Sequence, residues 1–197
     1  LSLLPFNTSS GVQQALHIAR GAKLIEPIGS GSDYSFIHQE LLESLIGIAS
    51  KEKLISYHEA FIDLARTEAT AAGRNPVTTI ALHQVKLLAL GVVQDSAVDD
   101  LIRAAKHTFS DNSPERGVLF LEQCLTIPGS DQHDEVHRML GEMYLKLHRL
   151  QDAEEQFRAA LERISDPMSK ARIWSLMSQL AGSRYQTAEA REYLERA

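Results

Sequence analysis

The chain is poor in the features that mark secreted, membrane and nucleic-acid-binding proteins. It has one cysteine, Cys124, so no internal disulfide is possible, which fits a reducing compartment. No apolar run approaches the roughly 18 residues of a bilayer-spanning helix, and no signal-peptide pattern is visible. Basic residues are in the minority: 20 Lys and Arg stand against 26 Asp and Glu, for a net charge of −6. Without a Lys/Arg cluster the chain has no electrostatic footprint for DNA or RNA. A G-x-x-x-x-G-K-[ST] loop is also missing, and the GSGS run at 29–32 has neither the lysine nor the helix it would need. No serine sits on a nucleophile elbow. A cytoplasmic, non-enzymatic chain is therefore expected, with no membrane contact, no direct nucleic-acid contact and no cofactor of its own. Because it begins with Leu1, it is expected to be a piece of a longer protein.

Apolar periodicity predicts an all-α chain apart from one small hairpin. From residue 131 onward, Val136, Met139, Leu140, Met143, Tyr144 and Leu147 form one helical stripe, with Ser130 or Asp131 as its cap. A break at His148-Arg149 precedes a second helix with Ala153, Phe157, Ala160, Leu161 and Ile164 inward, and Asp166-Pro167 is expected to end it. This hairpin resembles a tetratricopeptide repeat: His137 fills the bulky first slot, followed by Leu140-Gly141, Tyr144, Ala153, Phe157, Ala160 and Pro167. Copies follow on either side. One starts at Val98, with Leu101, Ala104, Ala105, Gly117, Leu121 and Cys124, at an offset of 134 − 98 = 36. Its second helix opens with Ser113-Pro114, read as a cap and a first-turn proline. Another starts near Ala171, at 171 − 134 = 37, with Trp174 in the bulky slot and Ala190, Leu194 and Ala197 on its second helix. A fainter hairpin is expected over 77–106. The resemblance implies an α-solenoid over 77–197 in which alanines and Gly141 admit close helix approach.

The N-terminal part follows a different pattern. An amphipathic stretch after Ser10 carries Val12, Ala15, Leu16 and Ala19 on one face. Strands are predicted at 24–28 and 33–37 around a Gly-Ser turn, then helices at 38–49 and 51–72, with the linker at 73–76. A compact domain over 1–72 is expected. In Tyr34-x-Phe36-x-His38, Leu41-Leu42, Tyr57-His58, Leu64-Ala65 and the later Ala81-x-His83, the segment resembles the winged-helix region of STAND signal-transducing ATPases, above all the large LuxR-type transcription regulators. That resemblance implies a regulatory or sensor role in signal transduction. ATP or ADP would sit in the nucleotide core of the parent protein, and His38 would reach the ADP diphosphate there. The other reading is a free-standing tetratricopeptide adaptor for protein–protein interaction.

Repeat geometry points to a partner surface, because the first helix of each hairpin lines the concave side of a solenoid. Glu135, Arg138, Glu142 and Lys146 lie between the packing slots, and Arg172, Ser175 and Gln179 are their counterparts one repeat on. These seven are the candidate contacts for a protein or small-molecule effector. His133 and His137, spaced i and i+4, could pair on a metal, but no third ligand can be named. His137 and Cys124 are read as packing residues, and no metal site is expected.

Overall fold

The computed structural model describes residues 17–22, 25–28, 33–36, 47–72, 76–129 and 134–197. It divides into two compact units, Leu1–Leu54 and Ile55–Ala197. In the first unit, residues 17–21 are helical, and strands β1 (Ile25–Ile28) and β2 (Asp33–Phe36) pair antiparallel, with Ile25 opposite Phe36 and Ile28 opposite Asp33. They are the only strands among the described residues, each within the predicted span. His38, most of the helix expected at 38–49 and the proposed cap at 130–131 lie outside the described residues.

Among the described residues eight helices are delimited after the hairpin: α1 (Lys51–Ala72), α2 (Val77–Ala89), α3 (Ala97–Ser110), α4 (Pro114–Leu125), α5 (Asp134–Lys146), α6 (Leu150–Arg163), α7 (Pro167–Ser183) and α8 (Thr187–Arg196). Among the described residues the chain is all-α apart from the hairpin. The helices α3/α4, α5/α6 and α7/α8 form three consecutive antiparallel hairpins, a tetratricopeptide-type array. Their shared core contains Leu101, Ala104, Ala105, Leu121 and Cys124 of the first, Val136, Leu140, Met143, Ala153, Phe157 and Ala160 of the second, and Ile173, Met177 and Leu180 of the third. Burial pushes the Cys124 thiol up to about 12, so it stays protonated and acts as a small apolar group.

Two glycines sit where a side chain of a neighbouring helix presses on the backbone. A Cβ on Gly117 would lie 2.5 Å from the Met143 sulfur and 2.9 Å from Thr108 Oγ1. On Gly141 it would run into the ring of Phe157, which is fully buried. The same backbone turn closes every hairpin. Asn112, His148 and Tyr185 take left-handed conformations with φ of 55, 57 and 61°, at spacings of 148 − 112 = 36 and 185 − 148 = 37. In each case the next amide reaches five residues back: Ser113 N to Thr108 O, Arg149 N to Tyr144 O and Gln186 N to Ala181 O, at 2.8, 2.9 and 2.9 Å. That is the Schellman closure, which satisfies carbonyls left open at a helix C-terminus.

Several expectations need correction. Helix α6 stops at Arg163 and Ile164 is already extended, so Pro167 does not end it. Instead Asp166 caps α7, its carboxylate accepting from Ser169 N at 2.8 Å, and Pro167 occupies the first turn, where its missing N–H costs nothing. Ser113 stands at the N-cap of α4 with φ and ψ of −120 and 64° but makes no side-chain cap bond; its own amide donates to Thr108 O. In the third hairpin Leu194 is not inward: it is 60% exposed, while Tyr193 is 9% exposed and stacks on Trp174 with centroids 5.6 Å apart. The pattern therefore slips by one residue on α8, keeping an aromatic in the slot held by Phe157. The hairpin expected over 77–106 is present as α2 packed on α3, and it shares α3 with the α3/α4 hairpin.

The boundary between units also differs from the expected break near 73–76. From Ile55 onward α1 belongs with the repeats. Ile62 and Ala65 of α1 pack with Ile80 and Leu87 of α2 in a satellite core. A polar network fastens the same helices to α3: Asp100, 4% exposed, accepts from Arg66 Nη2 at 2.6 Å, Gln84 Nε2 at 2.9 Å and Ser96 Oγ at 3.0 Å.

Candidate functional site

The first helices of the hairpins, α3, α5 and α7, share one groove of about 220 Å³. It is lined by Lys106, Phe109 and Ser110 of α3, Arg138, Met139, Glu142 and Met143 of α5, and Arg172 of α7. Helical spacing builds each wall. On α5, Met139 and Met143 are four apart and turn into the core, while Arg138 and Glu142, one residue earlier in each turn, stand at the rim. The floor is therefore thioether and phenyl, and the rim is charged.

Ion pairs cross the rim from helix to helix. Glu142 Oε1 receives Arg138 Nη1 at 2.5 Å and Arg172 Nη2 at 3.2 Å, so one carboxylate oxygen holds cations from two successive repeats. Glu135 Oε1 holds Lys106 Nζ at 2.9 Å and lies 3.6 Å from Arg138 Nη2. The Lys146 ammonium sits 3.6 Å from the centre of the Phe109 ring, and among the described residues no carboxylate comes within 4.0 Å of it. Four cations (Lys106, Arg138, Lys146, Arg172) thus face two carboxylates (Glu135, Glu142), a local balance of 4 − 2 = +2 within a chain of net −6.

Of the seven residues singled out from the sequence, Arg138, Glu142 and Arg172 line this groove, and Glu135 and Lys146 contact its lining residues. Ser175 and Gln179 are not among the lining residues: Ser175 is half-buried, and Gln179, further along α7, is exposed. Sequence reasoning missed Lys106, Phe109 and Ser110. The signal was there, since Lys106 and Glu142 are 142 − 106 = 36 apart, one repeat period. His137 is 7% exposed and its Nδ1 lies 2.8 Å from Gln156 Oε1, as a packing residue would. His133 is outside the described residues. Among those described, no group of three or more His, Cys, Asp or Glu could hold a metal ion, and no helix is long and apolar enough to cross a membrane.

Ties behind the groove hold its walls at fixed spacing. Tyr144 OH donates to Glu122 Oε1 at 2.6 Å, joining α5 to α4; burial, then that carboxylate, push the phenol's pKa up. Arg184, at the end of α7, pairs with Glu154 of α6 and donates to Leu150 O at 2.9 Å. The Arg184 hydrogen bond holds the Glu154 carboxyl below the usual range, with Arg158 adding to the effect.

A tetratricopeptide-type repeat array with a charged groove on its first-helix face is thus the class of protein that fold and site define. No protein-family model and no curated protein matches the chain. Among solved structures, the crystal structure of MamA aligns over 76% of this chain and 92% of that one, with a TM-score of 0.48 and 10% identity. The repeat assignment rests on the helices and their period rather than on that likeness.

Proposed function

We propose that this chain is a protein-interaction module whose first-helix groove takes an acidic segment of a partner protein. The observation that carries the reading is the local excess of cations around an apolar floor in an otherwise acidic chain. The floor of Phe109, Met139 and Met143 accepts an apolar side chain, and methionine adapts to varied shapes. The rim supplies Arg138 and Arg172, whose planar forks suit carboxylates, and Lys146, which has no carboxylate within 4.0 Å among the described residues. An incoming carboxylate would replace Glu142 on Arg172, which is 62% exposed.

The test is fluorescence anisotropy with a labelled peptide alternating Glu and Leu, against its Lys–Leu counterpart. The acidic peptide should bind and the basic one should not. Arg138→Glu combined with Lys146→Glu should weaken binding at least about tenfold, the loss of one to two charge-assisted contacts. Arg191→Glu, on the 83%-exposed second-helix side of α8, should leave it unchanged. Equal binding of both peptides, or a loss caused only by the α8 change, would show that the groove is not the site.

A finer reading makes the chain the sensor segment of a STAND-type regulator, with the N-terminal unit holding nucleotide state and the repeats receiving the effector. It is supported by the order of the resembling motifs, and by the fact that two of their markers, His58 and His83, meet side by side. In the intact protein that carries this segment, His38→Ala should then speed loss of bound ADP and raise basal signalling. Unchanged ADP retention would remove this reading and leave the adaptor.

A further inference from the structure

We propose that His58 of α1 and His83 of α2 form a proton-operated latch that closes α1 on the repeat unit at neutral pH and loosens it on acidification. Their Nδ1 atoms lie 2.8 Å apart, and their rings meet edge to face with centroids 5.0 Å apart. At that separation one nitrogen donates a proton and the other accepts it. Two neutral imidazoles of opposite tautomer satisfy this, and so does a pair carrying one extra proton. A second extra proton puts N–H against N–H, and the contact cannot persist.

The surroundings oppose charging. The His83 ring stacks on Phe61 at 4.1 Å and 11°, and Tyr57 lies at 5.2 Å from the His58 ring and 6.0 Å from that of His83. The charged group that acts on the pair is Lys86 of α2, a cation. Among the described residues no carboxylate comes within 4.0 Å of either imidazole. Burial lowers both pKa values below the ordinary one; Lys86 adds to the effect for His58, and His58 adds to it for His83. Stacking on Phe61 favours a charged His83 ring but is the weaker influence on a half-buried pair.

The sign follows from linkage. With folded pKa values below the unfolded value of about 6.5, the unfolded chain binds more protons. The latch's contribution is complete above about pH 6.5 and falls away as pH drops from there through the folded values. Both histidines lie in the unit Ile55–Ala197, so the device acts within that unit and apart from the groove.

The test is a ring-proton NMR titration of the full chain together with urea unfolding between pH 8 and 4.5. His58 and His83 should titrate below the ordinary imidazole range, in two coupled steps. The urea midpoint should fall across that range, and His83→Asn or His58→Asn should flatten its pH dependence. Titration of both rings near pH 6.5 as independent groups would overturn the latch, as would a midpoint profile identical in wild type and both variants. If either variant fails to fold, the wild-type titration decides alone.

Discussion

Phe157→Ala is expected to remove about 3–5 kcal/mol of stability, the cost of emptying a large buried aromatic site. A domain of this kind has only about 5–15 kcal/mol to lose. The ring is fully buried and fills the place left by Gly141, so nothing else can close the hole. In a repeat array stability is roughly a sum of repeats and their interfaces, so the central hairpin should loosen and uncouple its neighbours. Urea unfolding followed by circular dichroism measures it. Adding Gly141→Ala to Phe157→Ala should recover part of the loss, because the new methyl enters vacated space and alanine gains up to about 1 kcal/mol of helix propensity over glycine. In the wild-type background the same Gly141→Ala should destabilise, since the methyl would meet the ring. A Phe157→Ala loss under about 1 kcal/mol would refute this account of the core.

Arg66→Ala should cost about 2–3 kcal/mol, at or below the low end of the about 3–5 kcal/mol for breaking a buried ion pair. Asp100 is 4% exposed and would be left with Gln84 and Ser96 as donors and with Arg103 Nη1 3.9 Å from its other oxygen. Because Arg66 is itself 40% exposed, its attraction is partly screened, which lowers the estimate. The effect should be local. Amide exchange should rise in α1 and α2 while α5 and α6 stay protected, since the network ties α1 and α2 to α3 alone. Uniform exchange across all helices would mean that α1 is integral to the repeat core rather than clasped to its end. Asp100→Asn should be milder than Arg66→Ala, because the amide removes the buried charge and still accepts from Gln84.

The groove was legible in part, for a definite reason. Arg138, Glu142 and Arg172 could be placed from the sequence because residues three and four apart share a helix face and the period of 36–37 carries that face to the next repeat. Lys106 and Phe109 obey the same arithmetic but lie in a repeat whose signature is weak, so its inner face was not traced. The His58–His83 contact had no signal at all: 25 residues separate the two, on helices of different repeat phase. The STAND resemblance named both residues as markers, but nothing in their spacing says that they touch.

Taken alone, the sequence determined the element types, the inward face of α3 to α6 and the central hairpin down to its slots, because a 3.6-residue stripe and small-residue positions are local properties. Three things were decided only by tertiary structure. The hairpin turns repeat as backbone shape, with Asn112, His148 and Tyr185 sharing no chemistry; what selects the left-handed conformation is the pair of helices that must fold back on each other. On α8, Tyr193 rather than Leu194 turns inward, because Trp174 offers a stacking partner that periodicity cannot see. And α1, which looked like part of the N-terminal domain, joins the repeats because Asp100 needs Arg66 and α2 needs Ile62: its allegiance is set by partners that lie far along the chain.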